Sequence, residues 1–240
     1  MSGHSKWATT HRQKSVTDAK KGALFTKLSN LITIAAREGG GDIENNFKLR
    51  LAVEKAKAAN MPKDNIQKAI DKGTGKNKEE SNFEEVIYEV IGPAGSVFMI
   101  EAVTDNKNRT VADLKALLNK NGGQLGSSNS VAWMFERKGR IIIDASQLNE
   151  DKELEIIDSG AEDLVKEENE WFVYTSVDNL NLVSKALKEK NIKIKETELI
   201  YSPKNQLRIT DQESQEKIEK LYNLLEEMDD VSNVYTNVNW

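Results

Sequence analysis

The sequence predicts an α+β protein: an N-terminal three-helix domain plus two α/β (ferredoxin-like) domains, the third inserted in the second. Three observations lead there. Apolar side chains recur with a helical period as far as Gly73, and with a strand-like period from Val86. Clusters of Gly, Pro and Asn fall where these runs end. The sheet begun at Val86 lacks cover until the far C-terminus supplies another helix and strand. The expected boundaries are 1–78 for the helical domain, 79–135 with 205–240 for the interrupted domain, and 136–204 for the insert.

Each element has a local reason. Residues 1–16 show no apolar period and read as an arm that orders on binding. From Thr17, a capping type, Leu24, Phe25, Leu28, Leu31, Ile32 and Ala35 form a helical stripe, ended by Gly39-Gly40-Gly41. A second helix starts near Asn45, buries Phe47, Leu49, Val53, Ala56 and Ala59, and stops at Asn60-Met61-Pro62. Proline suits the first turn of a third helix with Ile66, Ala69 and Ile70 inward and Gly73 as its stop. Val86–Ile91 and Val97–Thr104 read as strands joined by the turn Gly92-Pro93-Ala94-Gly95. A helix buries Val111, Leu114, Leu117 and Leu118, and Val131–Phe135 is expected to be a strand.

The insert reads strand (Arg140–Asp144), helix (Asp151–Ser159), strand (Asp163–Lys166), strand (Trp171–Ser176), helix (Asp178–Glu189), strand (Ile194–Tyr201). Thr210 and Glu213 make a capping-box pattern before a helix burying Ile218, Leu221, Tyr222, Leu225 and Met228. Val231–Val238 reads as the last strand.

Composition removes several classes of function. The 240 residues are 38% hydrophobic and 30% charged, and none is cysteine. Disulfides, thiolate metal sites and cysteine nucleophiles are therefore excluded. No run approaches the ~18 apolar residues of a membrane span, and no partner membrane is expected. The net charge of −5 conceals a division. Residues 1–76 carry 15 Lys and Arg against 7 Asp and Glu, while the remainder carries 19 against 32. A front of +8 on a chain whose remainder is −13 points to a polyanionic partner.

No catalytic constellation emerges. His4 and His11 are the only histidines and lack a third ligand, so neither a metal nor a cofactor is expected. Adjacent acidic pairs such as Glu226-Glu227 point apart and read as solvated surface. The glycine-bearing stretches 73–76 and 122–130 lack the spacing of a phosphate loop. The candidate nucleic-acid contacts are His4, Lys6, Trp7, His11, Arg12 and Lys14 in the arm, with the indole available to stack on a base. On the helices they are Lys20, Lys21, Lys27, Arg50 and Lys57. Lys20 and Lys27 lie about 20° apart around their helix, as do Arg50 with Lys57 and Lys48 with Lys55. Lys107 and Arg109, in the loop Thr104–Thr110 that opens a helix, make a second anion-binding candidate. The competing reading is that Asn108 or Thr110 merely caps that helix.

Several motifs resemble the YebC family: Gly3-His4-Ser5-Lys6-Trp7-Ala8, Asp18-Ala19-Lys20-Lys21-Gly22, Phe25-Thr26-Lys27-Leu28, Asn60-Met61-Pro62-Lys63-Asp64-Asn65-Ile66, Thr104–Thr110 and Val131-Ala132-Trp133. The resemblance runs along the whole chain and implies the same three-part organisation. It also implies a non-enzymatic regulator of gene expression. Bacterial members are commonly labelled DNA-binding transcriptional regulators. Others, mitochondrial translation activators among them, act on ribosomes and relieve stalling at sequences such as proline runs. Because the motif begins at residue 3, a bacterial, cytoplasmic member is expected. The sequence departs from the family at Ala23, usually basic, at Ile43, often proline, and at Asn129, frequently glycine.

The expected partner is thus a nucleic acid, DNA or ribosomal RNA, with the ribosome itself a candidate and a protein partner conceivable through the acidic domains. Trp7 and the absence of a base-reading helix lean toward irregular or single-stranded RNA; the family label leans toward DNA. The alternatives are a hydrolase working in an inter-domain cleft and a protein-interaction adaptor.

Overall fold

The computed structural model describes residues 18–76, 82–147, 150–167 and 169–239, without the side chains of 18–20, 150 and 151. Helix α1 (Asp18–Gly39) packs with α2 (Phe47–Ala58) and α3 (Lys63–Gly73). Their shared core is Leu28, Ile32, Ala35, Leu49, Val53, Ala56, Ile66 and Ile70, closed by Met61 from the α2–α3 turn. Asn46 ties this body together. Its side chain accepts from Leu49 N at the start of α2 and donates to the Ala35 and Gly40 carbonyls at the end of α1.

The sheet body has the order β3-β1-β2-β9, with every neighbouring pair antiparallel: β1 (Glu84–Ile91), β2 (Val97–Thr104), β3 (Gln124–Leu125) and β9 (Val231–Thr236). Helices α4 (Lys107–Lys120) and α7 (Gln212–Glu227) contribute to its core. Alternation does the sorting. Val90, Phe98 and Ile100 meet Leu114, Leu118, Leu221 and Leu225, while Ile87, Glu89, Met99 and Glu101 lie on the opposite face. β8 (Leu207–Arg208) pairs in parallel with β10 (Val238–Asn239).

Residues Glu136–Ser202 form a separate compact unit; the helical and sheet bodies together form the other. The insert's sheet contains β4 (Phe135–Asp144), β5 (Asp163–Glu167), β6 (Glu170–Thr175) and β7 (Ile194–Pro203) in the order β5-β6-β4-β7. With α5 (Glu150–Asp158) after β4 and α6 (Leu180–Glu189) after β6, this is the split β-α-β arrangement. Gly139 on β4 is required by packing: a Cβ there would lie 2.4 Å from Thr175 Oγ1 and 2.7 Å from Leu180.

Three expectations need correction. Val131–Phe135 is not a strand: Ala132–Met134 is a 3₁₀ turn, and β4 starts at Phe135. The last strand breaks at Asn237, whose side chain accepts from Val97 N. The α6 helix begins at Leu180, two residues later than expected.

Candidate nucleic-acid interface

Helical geometry gives α2 two basic stripes, and the fold uses them differently. Lys48 and Lys55 lie on one side, and Arg50 and Lys57 about 160° around the axis from them. Lys48 bonds to Glu38 at 2.8 Å and to Glu85 on β1 at 2.7 Å. Burial lowers its pKa, but the two carboxylates outweigh this and leave the ammonium above its ordinary value. Lys55 donates to Asn233 Oδ1 on β9 at 2.9 Å. This stripe joins the helical body to the sheet body. Arg37 adds a bond to the Phe83 carbonyl.

On the other stripe, Arg50 is mostly covered. It lies over the Phe47 ring at 5.2 Å and near Glu44. Lys57 is exposed, and so are Lys21, Lys63 and Lys68. None of these four lysines has a carboxylate partner among the described residues. Lys57 and Lys63 flank the turn Asn60–Pro62, where Asn60 takes a left-handed φ of 59°. Lys63 and Lys68 were not among the residues singled out from sequence.

Lys27 is placed otherwise than the sequence reading required. Its ammonium donates to the Glu226 carbonyl at 2.8 Å, one of the carbonyls that the last turn of α7 leaves without a helical partner. Burial pushes its pKa down against the pull of Asp229, Glu226, Asp230 and Glu227. This lysine fastens α1 to the sheet body and is not free for phosphate. Of the other candidates, the side chain of Lys20 and all of His4, Lys6, Trp7, His11, Arg12 and Lys14 lie outside the described residues.

The loop Thr104–Thr110 is likewise occupied by the chain itself. Asn106 caps α4 by accepting from Arg109 N, and neither Asn108 nor Thr110 takes that part. Lys107 pairs with Glu84 at 2.6 Å. Arg109 pairs with Asp105 at 2.9 Å and Asp230 at 3.1 Å. Asp230 also accepts from the Thr110 hydroxyl at 2.6 Å, and that hydroxyl lies 2.8 Å from the Thr104 hydroxyl, from which it can accept. The hydrogen bonds and charge of Asp230 hold the Arg109 pKa above its ordinary value. The proposed anion site is thus neutralised internally.

Glu89 performs a similar task one strand away. It is 9% exposed, and its carboxylate accepts from Asn129 N at 2.6 Å, Val131 N at 2.7 Å and Ala132 N at 2.8 Å. Burial raises its pKa, but the three amides and the Ser130 hydroxyl outweigh that, leaving it below the ordinary value. These bonds curl residues 129–132 into a turn, which is why no strand forms there. Asn129 takes a φ of 64°, a left-handed conformation that glycine adopts freely and asparagine tolerates. The turn presents Trp133, whose indole N–H donates to the Ser130 carbonyl while the side chain stays 66% exposed.

Comparison with known proteins places this geometry. The family model described as TACO1/YebC protein N-terminal domain matches residues 5–76, and the one described as TACO1/YebC second and third domain matches 83–238. The chain belongs to the TACO1/YebC family. A relative from Thermoanaerobacter pseudethanolicus is 48% identical, covering 99% of this chain and 97% of that protein. Another from Halothermothrix orenii is 45% identical, covering 99% and 94%. Both are named "Probable transcriptional regulatory protein". A crystal structure of a conserved hypothetical protein from Aquifex aeolicus superposes with a TM-score of 0.84 at 42% identity, covering 92% of this chain and 91% of that one. Of the residues noted as departures in the sequence, Ala23 is exposed on α1, and Ile43 packs against the helical core. Among the described residues no group of three His, Cys, Asp or Glu could hold a metal ion, and no helix is long and apolar enough to cross a membrane.

Proposed function

We propose that this TACO1/YebC family member is a nucleic-acid-binding regulator of gene expression with no catalytic chemistry of its own. The reading is carried by one charge partition. Residues 1–76 bear a net +8 on a chain of −5, and Lys21, Lys57, Lys63 and Lys68 remain exposed after folding has consumed Lys27, Lys48 and Lys55. Exposed, mobile ammonium groups supply sequence-independent phosphate affinity through counterion release.

Single-stranded or irregular RNA suits this surface better than a duplex groove. The outward side of α3 alternates Asp64, Gln67, Lys68 and Asp71, and Gln67 is bonded to Asp71 at 3.0 Å. No row of Asn, Gln and Arg is offered for base edges there. Duplex DNA is the second reading, favoured by the relatives' name. A ribosomal RNA target would make the protein a translation factor, and a promoter target a transcription factor. Crosslinking in cells and identification of the bound nucleic acid separates the two.

Binding of labelled single-stranded RNA and duplex DNA, measured from 50 to 200 mM salt, tests the surface. Affinity is expected to fall steeply. Replacing Lys57, Lys63 and Lys68 together by Gln should flatten the log–log slope on single strands by about 2, from ~0.7 per lost phosphate contact. Lys27→Gln should leave the slope unchanged, because that ammonium is already bound to Glu226. A flat salt profile for the parent protein, or an unaltered slope in the triple variant, overturns the proposal.

A further inference from the structure

The sheet body is acidic as a whole, yet two of its segments carry no carboxylate. None occurs between Asp113 and Glu136, or between Glu198 and Asp211. The same segments hold Lys115, Lys120, Lys204 and Arg208. All four are exposed, and none has a carboxylate partner among the described residues.

The fold draws the two segments to one end of the sheet. Lys204 N donates to the Met134 carbonyl at 2.8 Å, next to Trp133. Leu207, beside Arg208, approaches the β1–β2 hairpin at Gly95, and Gly122, two residues past Lys120, approaches the same hairpin at Pro93. Lys204 therefore lies beside the exposed Trp133, and Lys120 and Arg208 lie toward the hairpin at the same end of the sheet. Ser127, Ser128 and Asn129 add exposed polar groups along the approach to Trp133.

The indole is also pre-set. Glu89 fixes the backbone of the turn through three amides, and the indole N–H is used on Ser130. What the ring still offers a ligand is its π-face. A fixed aromatic face with cations beside it suits a nucleobase joined to phosphate, and it suits any base.

We infer that Trp133, with Lys204 beside it and Lys120 and Arg208 toward the neighbouring hairpin, forms a second contact for single-stranded nucleic acid, in which the indole stacks on an unpaired base. The site rests on the nucleic-acid reading above and deepens it. The chain would grip one strand at two places, by charge on the helical body and by stacking on the sheet body. Because a paired base cannot lie on the indole, this contact would also select single strands over duplexes.

The test uses the full chain and a fluorescein-labelled 20-nucleotide oligouridylate, with a 20-base-pair DNA duplex in parallel, followed by anisotropy. Trp133→Ala is expected to weaken oligouridylate binding roughly tenfold, in the range of a lost base–aromatic stack. Trp133→Phe should keep most of the affinity, and duplex binding should change less than about twofold. Replacing Lys120, Lys204 and Arg208 by Gln should lower the single-strand salt slope by about 2. Circular dichroism should show an unchanged fold, since Trp133 is exposed. If the parent binds oligouridylate with a steep salt dependence and Trp133→Ala binds equally well, the stacking site is wrong while the general function stands. Equal losses on single strand and duplex also overturn it. If the parent binds neither ligand, both proposals fall.

Discussion

Glu89→Gln probes the turn on which the candidate site depends. In the native protein one carboxylate oxygen accepts from Val131 N and Ala132 N, and the other from Asn129 N. Glutamine can keep its carbonyl oxygen toward the first pair. Its NH₂ group then faces the Asn129 amide, donor against donor, and the charge assisting the remaining two bonds is gone. Charge-assisted bonds contribute about 1.5–3 kcal/mol each, and an unsatisfied buried donor costs about 1–3. A local loss of about 3 kcal/mol follows, equivalent to roughly a hundredfold in an opening equilibrium. Amide hydrogen exchange reads this directly: protection at residues 129–132 should fall by about that factor, while protection in α7 is kept. The pH dependence has a definite sign. The folded carboxyl is held below its ordinary value, whereas in the unfolded chain it titrates near 4.3. Its contribution is complete above about pH 5 and is lost as the pH falls through the folded value. Protection in Glu89→Gln within about threefold of the parent would refute the claim that this carboxylate shapes the turn.

Two further substitutions separate folding from binding. Asp230→Asn weakens the bonds to Thr110 and Arg109; about 2 kcal/mol should be lost in urea unfolding, with the nucleic-acid salt slope unchanged. In the insert, Arg140 places Nη2 at 2.6 Å and Nε at 2.9 Å from one oxygen of Glu198; burial lowers the guanidinium's pKa, but the charge and hydrogen bonds of Glu198 outweigh this and hold it above the ordinary value. Arg140→Met alone should cost about 3–5 kcal/mol in thermal or urea unfolding, and adding Glu198→Met should recover most of it.

Much of the fold was legible because its periods are clean. The α1 stripe, the hairpin at Gly92–Gly95 and the strand–helix order of the insert all follow from apolar spacing and turn residues. Misreading began where a single side chain outweighs local propensity. Val131–Phe135 has strand-forming residues, but the carboxylate of Glu89, about 40 positions earlier, recruits its amides. No local signal announces that pairing. The Asn237 break behaves alike, being set by a bond to Val97 N, 140 residues away. Trp133 could have been noticed from the carboxylate-free run around it, since charge patterning at that scale needs no structure.

The roles of the cations were legible only in part, for a physical reason. A helical wheel gives α2 two basic stripes of equal standing, and only the docking of the sheet body decides between them. Once docked, Lys48 and Lys55 lie against groups from β1 and β9, and Lys27 lies at the end of α7. Such partly covered contacts are screened weakly by salt, whereas Lys21, Lys57, Lys63 and Lys68 stand in water, where screening acts within ~10 Å at 0.1 M. The same residue type therefore does two jobs that ionic strength can separate. One set of lysines holds the bodies together at salt concentrations that would strip a polyanion from the other. The proposed function, binding and releasing a nucleic acid while the frame stays assembled, would require that division, and the division arises here from which side of each helix the sheet body covers.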